Sequence, residues 1–168
     1  MRIADTPLDS TAHQPWAVVL DTNVALDWLV FSDASCSSLA EQLIRGQLRW
    51  QATAEMRSEL CSVLPRPELK IWNPDGEHVL SVFDRLASLH APSRVQQPAA
   101  GLRCRDPDDQ KFMDLALATS ARWLFSRDRA LLDLAKTARK HGVEILTPAS
   151  WLRQHASLAS HGDSGGIA

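Results

Sequence analysis

Two aspartates of this 168-residue chain stand directly after short apolar runs that are typical of buried strands. Asp21 follows the run at 16–20, and Asp128 comes two residues after the run at 122–126. A carboxylate at the mouth of a buried strand either caps the next helix or binds a ligand. For Asp128 the second role is open because Ser126 is placed to cap the helix that follows.

A third acid, Glu59, lies in the segment TAEMRSELCSVL, whose apolar residues have helical spacing. It comes three residues after Met56 and four before Val63, so a helix brings these side chains to one side. A carboxylate that faces a core is costly unless it is paired or bound to metal. The alternative is a side chain at the stripe edge that reaches water or Arg57, and Glu55 is the reserve candidate one turn earlier.

The segment RDPDDQ is the densest acidic cluster of the chain. Asp106 fits the N-cap of a helix over 107–120, with a proline at the first helical position. Asp108 and Asp109 then fall in the first turn, where the helix dipole favours negative charge, and this accounts for much of the cluster without chemistry. Asp109 also precedes Phe112 by three residues and so faces inward. We therefore predict that Asp109 is the ligand and Asp106 the structural residue.

The apolar periodicities set these acids in an alternation of strands and helices. Strands are predicted at 16–20, 48–52, 122–126 and 143–146, and helices at 24–29, 39–44, 54–64, 76–89, 107–120, 128–140 and from 148. The stretch 90–106, with two prolines and a glycine, is predicted to be a loop with room for a short strand. This alternation predicts an α/β fold with an open, mostly parallel sheet covered by helices on both sides. Ligands of such sheets bind beyond the carboxyl ends of the strands, where the acids are expected to meet.

Four carboxylates a few ångströms apart repel one another strongly in a low-dielectric site. No lysine in these segments is placed to neutralise all of them, so a divalent cation is the predicted counter-charge. Oxygen ligands with open positions suit Mg²⁺ or Mn²⁺, and the lack of a paired His or Cys argues against zinc. Such a site lowers the pKa of a bound water and stabilises the charge that develops as a phosphodiester breaks.

The composition excludes several classes of protein. No apolar run approaches the roughly 20 residues that span a bilayer, and the first residues lack the pattern of a signal peptide. Three widely spaced cysteines indicate reduced thiols in a cytoplasmic protein. Residues 1–15 are predicted to be a flexible arm, 16–155 one folded domain, and the Gly- and Ser-rich 156–168 a disordered tail.

Since the net charge is −2, binding of a nucleic acid must depend on a local basic surface or on metal. Several basic side chains flank the acidic segments and are candidates for contacts with phosphates. They are Arg57, Arg66, Lys70, Arg103, Arg105, Lys111, Arg127 and Arg129.

Taken in order, the segments LDTNV, SELCSVL with RPEL, DPDDQKF with DLALA, and SRD with ALL resemble the PIN domain family. The resemblance runs from about residue 17 to 152 and is nearest to a bacterial branch described as toxins of toxin–antitoxin pairs. It implies a three-layer α/β/α fold with about five strands, Mg²⁺- or Mn²⁺-dependent endoribonuclease activity on RNA, and a homodimer; a toxin would have an antitoxin protein as partner. By motif, the catalytic and metal-binding acids are Asp21, Glu59, Asp109 and Asp128, with Thr22, Asn23, Asp106 and Ser126 in support.

Two other functions fit part of this pattern. A phosphoryl-transfer enzyme or a receiver module would use Asp21 as the nucleophile or phosphoacceptor. The phosphatase form expects a second aspartate at 23, where this chain has Asn, and both forms expect a lysine where 122–129 offers only arginines. A PIN-like scaffold that binds RNA or a protein without cutting is the other alternative. All four acids are present, and this favours the enzyme.

Overall fold

A single five-stranded sheet forms the centre of the computed structural model, which describes residues 14–92 and 101–159. Its strands are β1 Trp16–Leu20, β2 Leu48–Thr53, β3 Ala87–His90, β4 Trp123–Phe125 and β5 Glu144–Leu146. They lie in the order β3-β2-β1-β4-β5, and every neighbouring pair is parallel. The chain moves outward from β1 in one direction and then returns to the other side, so right-handed crossovers place helices on both faces. The predicted three-layer fold is confirmed.

Eight helices connect and cover these strands within the described residues. They are α1 Thr22–Leu29, α2 Ser37–Ile44, α3 Ala54–Val63, α4 Gly76–Leu86, α5 Gln110–Ala118, α6 Arg129–Leu132, α7 Ala135–Arg139 and α8 Pro148–Ala159. Two 3₁₀ turns, Ala34–Cys36 and Pro67–Trp72, complete the connections. In this part of the chain no helix is both long and apolar enough to cross a membrane.

The core lies on both sides of the two central strands. Val19 of β1 and Phe125 of β4 are fully buried, as the predicted double-sided burial of these strands requires. Trp151 of α8 packs edge-on against Phe125 at 5.5 Å between ring centroids. Trp72 differs from such core tryptophans because it is 54% exposed and rests on Phe31, at 5.0 Å.

The predicted bounds of the helices over 76–89 and 128–140 are wrong. The helix predicted over 76–89 ends at Leu86, and 87–90 form the edge strand β3, which pairs with Trp50–Thr53 of β2. Sheet pairing here overrides a helical periodicity that continues past the end of the helix. The helix predicted over 128–140 is two helices, α6 and α7, because the N–H of Leu134 bonds to the carbonyl of Leu131 in a 3₁₀ turn.

The predicted arm and tail are mostly outside the described residues, namely 1–13 and 160–168. Helix α8 extends to Ala159, four residues into the segment predicted to be the tail. Gly142 follows α7 with a φ of +82°, a left-handed conformation that glycine adopts without strain at the end of a helix.

Candidate active site

A cavity of about 580 Å³ opens at the carboxyl end of the sheet. It lies beside β1, where the order of the strands reverses between β1 and β4, and this is where open α/β sheets bind ligands. Its walls come from the start of α1, one face of α3 with Arg66, and the segment 108–112. Three of the four predicted acids, Asp21, Glu59 and Asp109, line it.

Asp21 is 3% exposed and is held by two hydrogen bonds. Its Oδ1 accepts from the backbone N–H of Val24 at 2.7 Å, which caps α1, and its Oδ2 accepts from the hydroxyl of Ser126. Burial raises the pKa of Asp21 to about 6, and the hydrogen bonds from Ser126 and Val24 offset part of that shift. The residue is therefore a helix cap and also a wall of the cavity, so both of the roles considered for it are compatible.

Glu59 reaches the cavity from α3 with its side chain 32% exposed. One carboxylate oxygen accepts from Thr22 Oγ1 at 2.7 Å, and the other lies 2.5 Å from Lys111 Nζ. Arg57, the alternative partner, instead binds Asp84 with two hydrogen bonds of 2.6 and 2.7 Å. Lys111 thus neutralises one of the four acids, which the sequence did not suggest.

Asp109 stands immediately before α5, and its side chain makes no capping hydrogen bond. Burial raises its pKa to about 6, and the charges of Asp128, Asp106 and Asp21 add to the rise. These neighbours include two of the other predicted acids, one at the end of β1 and one after β4. The carboxylates of these acidic segments therefore lie close enough together at this end of the sheet to repel one another.

The acidic cluster does not start the helix where the proline pattern predicted. Helix α5 begins at Gln110, three residues late, because residues 106–109 form tight turns in which the N–H of Asp109 bonds to the carbonyl of Asp106. The carboxylate of Asp106 accepts from the N–H of Asp108 at 2.9 Å, so it caps this turn and not the helix. Asp108 and Asp109 line the cavity, and Asp106 does not.

Gln110 fixes this turn to the rest of the site, a role that was not predicted from the sequence. Its side-chain oxygen accepts from the N–H of Cys104 at 2.6 Å. Its amide donates to the carbonyl of Leu102 at 3.2 Å and to the buried carboxylate of Asp114 at 2.8 Å. The i,i+4 spacing of a Gln and an Asp on one helix was the available signal. These bonds hold the backbone next to Asp109.

Asp128 itself caps α6, so the prediction that Ser126 would take that role is wrong. The carboxylate of Asp128 accepts from the N–H of Ala130 at 2.6 Å. Ser126 is fully buried; its hydroxyl donates to Asp21 and accepts from the N–H of Asp128 at 2.9 Å. Ser126 is therefore a bridge between Asp21 and the backbone of Asp128, and its predicted supporting role has a structural basis.

The sequence profile of one family, described as PIN domain, matches residues 17–130. The chain belongs to the PIN domain family. PIN domains are generally nucleases, and they typically use divalent metals. No curated protein is significantly similar to this chain in sequence.

The acids of this PIN domain have suitable chemistry for a divalent ion, although their side chains do not enclose one. Among the described His, Cys, Asp and Glu residues, no three form a group that could hold a metal ion. The oxygens of Asp21 are engaged by hydrogen bonds, and those of Glu59 by Thr22 and Lys111. The cavity nevertheless offers carboxylate and hydroxyl oxygens, which are hard donors that fit Mg²⁺ or Mn²⁺.

In the described part of the chain, four of the eight basic residues near the PIN motifs have acidic partners, namely Arg57, Arg105, Lys111 and Arg127. Arg127 Nη2 donates to Asp33 at 2.7 Å, and Arg105 pairs with Asp133 at 2.8 Å. Of the candidates for phosphate contacts, Arg66 and Lys111 line the cavity. Fewer basic side chains are therefore placed to contact phosphates in the cavity than the sequence predicted.

Without metal, the PIN domain is expected to lose stability as the pH rises from 5 to 7.5. The folded-state pKa of Asp21 is about 6, above its ordinary value of 3.8, so its protonated form favours folding. That contribution is complete below 3.8 and is lost as the pH rises through 6, which between pH 5 and 7.5 removes on the order of 1 kcal/mol. Urea unfolding midpoints in EDTA measure the effect. Asp21→Asn should reduce this dependence without abolishing it, because the pKa of Asp109 is also raised to about 6. A wild-type midpoint that rises with pH would contradict the assignment.

Proposed function

We propose that this PIN domain is an endoribonuclease that cleaves RNA with Mg²⁺ or Mn²⁺ held by Asp21, Glu59, Asp109 and Asp128. The observation that carries the proposal is the convergence of Asp21, Glu59 and Asp109 on one cavity at the reversal point of the sheet. These acids come from the end of β1, from α3 and from the turn before α5. Asp128 joins them through its charge, which raises the pKa of Asp109.

When bound, the metal would supply a more acidic water and a positive charge against the breaking phosphodiester. The chain itself holds the acids in place. Ser126 and the N–H of Val24 fix the carboxylate of Asp21, and the hydroxyl of Thr22 fixes that of Glu59. Asn23 lines the same cavity and presents an amide that can bond to a ligand or substrate.

The site is a poor fit to a covalent phosphoryl-transfer mechanism through Asp21. Each oxygen of this carboxylate already accepts a hydrogen bond, which weakens it as a nucleophile but leaves lone pairs that a cation in the cavity can use. The lysine in the cavity, Lys111, is paired with Glu59 and not with Asp21. A receiver-type or phosphatase reaction would need an exposed nucleophile with a cation beside it.

The proposal extends to the toxin of a toxin–antitoxin pair that acts as a cytoplasmic homodimer, because the motifs are nearest to that bacterial branch. The product of a neighbouring gene for a small DNA-binding protein is the partner to test. Co-expression should then relieve growth inhibition caused by the PIN domain alone. Growth that is unaffected by the PIN domain would contradict the toxin role without affecting the nuclease.

The nuclease is tested by incubating purified protein with end-labelled single-stranded RNA. We expect internal cleavage with Mn²⁺ or Mg²⁺, none after EDTA, and none with Asp21→Asn. The matched control is Asp75→Asn, because Asp75 also caps a helix, accepting from the N–H of His78 at 3.0 Å, but does not line the cavity. Asp75→Asn should therefore cleave normally. Cleavage that continues in EDTA, or with Asp21→Asn, would rule out the metal mechanism.

A further inference from the structure

The cavity extends along α3 beyond the acids, and one face of this helix forms its wall. The lining residues Glu55, Glu59 and Ser62 are spaced by four and three positions, so they lie on one side of the helix, and Arg66 follows four positions later. At 1.5 Å per residue, the helical part of this wall, from Glu55 to Ser62, is roughly 10 Å long, and Arg66 lies beyond the end of the helix. A trough of this length has room for more than the single phosphodiester that is cut.

Arg66 stands at the end of this wall that is far from Glu55. It is exposed, and its side chain makes no ion pair with any residue in 14–92 or 101–159. Lys111, the other cation of the cavity, is held by Glu59. Arg66 is therefore the cavity cation whose charge the described part of the chain leaves available for a ligand.

The backbone at Arg66 is well restrained. Prolines precede and follow it, and its carbonyl accepts from the N–H of Leu69 at the start of the 3₁₀ turn. Proline fixes its own φ and restricts the residue before it, so Arg66 is held in its extended conformation, with φ −63° and ψ 144°. The guanidinium thus projects from a fixed point at the end of the trough.

The charges of the trough are unevenly distributed. Five acids, Asp21, Glu55, Glu59, Asp108 and Asp109, line it, and their negative charge repels a polyanion. The fixed cation lies seven residues beyond Glu59 and past the end of α3, and so could hold the RNA strand by a phosphate away from the reacting one. A guanidinium binds phosphate with two parallel hydrogen bonds, and such contacts set the register of a nucleic acid.

We propose that Arg66 binds a phosphate of the RNA strand beside the scissile one. The substrate is then a single-stranded oligonucleotide of at least three nucleotides that lies along α3. This inference rests on the proposed nuclease function and adds the position and minimum length of its substrate. The RNA strand then runs from the acids along α3 toward Arg66, which stands between two prolines after the end of that helix.

The first test compares a dinucleoside monophosphate, which has one phosphate, with an octanucleotide. For the wild type, the longer substrate should have a much higher kcat/KM. In Arg66→Gln, about tenfold of that gain should be lost, mostly through KM, because a charge-assisted hydrogen bond to phosphate is missing. Arg66→Lys should keep part of the gain. Lys70→Gln is the matched control, since Lys70 is an exposed cation of the same 3₁₀ turn that does not line the cavity.

The second test does not depend on cleavage. Fluorescent octanucleotide RNA is titrated with Asp109→Asn protein, with and without Arg66→Gln, at several NaCl concentrations. Loss of one phosphate contact should reduce the slope of log Kd against log salt by about 0.7 for a single strand, and Lys70→Gln should leave the slope unchanged. Melting curves of every variant check that the fold is intact.

The two hypotheses fail in different ways. If the wild type cuts RNA but Arg66→Gln has the same length dependence and salt slope, the role of Arg66 is wrong and the nuclease remains. If the wild type binds RNA with a slope that depends on Arg66 but never cuts, the nuclease is wrong and the phosphate contact remains. Absence of RNA binding by the wild type would overturn both.

Discussion

Asp109→Asn is expected to reduce RNA cleavage at least about a hundredfold while the fold remains intact. The side chain of Asp109 lines the cavity and makes no capping bond, so the variant loses no structural hydrogen bond that α5 needs. Its pKa is raised to about 6 by burial and by the charges of Asp128, Asp106 and Asp21. Removing this charge relieves repulsion, so metal-free stability at pH 7.5 should be equal to that of the wild type or higher.

Asp106→Ala is the contrasting variant. Its carboxylate caps the turn before α5 by accepting from the N–H of Asp108, and loss of one such hydrogen bond costs about 1 kcal/mol of stability. Most of the activity should remain once the protein is folded, because Asp106 does not line the cavity. Unfolding midpoints and cleavage rates measured in one buffer separate the two variants. If Asp106→Ala is inactive with a normal midpoint and Asp109→Asn is active, the roles are exchanged.

The strands of the sheet and the position of Asp21 could be predicted because the local sequence pattern and the tertiary structure favour the same conformation in these segments. The apolar run of β1 is buried on both faces. Asp21 follows this run and caps α1, and aspartate is a favoured residue at the N-cap of a helix. The position of Asp21 follows from this run alone. Its raised pKa does not, because that depends on burial and on Ser126, which is 105 residues away in sequence.

Features set by contacts between distant segments were not predictable. Strand β3 has four residues, too few for a pattern of alternation, and it is a strand because it pairs with β2. The pairing of Lys111 with Glu59 depends on α3 and α5 approaching the same cavity, so no spacing within either segment predicts it. The late start of α5 has a similar cause, since Gln110 bonds to the loop before it.

Metal is expected to stabilise the fold, and the effect should be largest above pH 6. In the native state Asp21 and Asp109 are held near other carboxylates, and both have a pKa of about 6. A cation that binds there relieves a repulsion that the unfolded chain does not have, and at a hundred times its Kd it adds about 2.7 kcal/mol. For a chain of this size that corresponds to a rise in melting temperature of roughly 5 to 10 °C.

The metal-induced rise in melting temperature should change with pH, whereas simple binding of metal to the protein surface would not show this change. Below pH 6, protons occupy Asp21 and Asp109 and compete with the metal, so the rise in melting temperature should shrink between pH 7.5 and 5.5. Thermal melts with millimolar Mn²⁺, Mg²⁺ or EDTA at both pH values measure it. Asp21→Asn should reduce the rise at pH 7.5, whereas Asp75→Asn, which changes a helix cap outside the cavity, should keep it in full. A wild-type melting temperature at pH 7.5 that does not respond to millimolar metal would count against a metal site among these acids, as would an equal rise in Asp21→Asn.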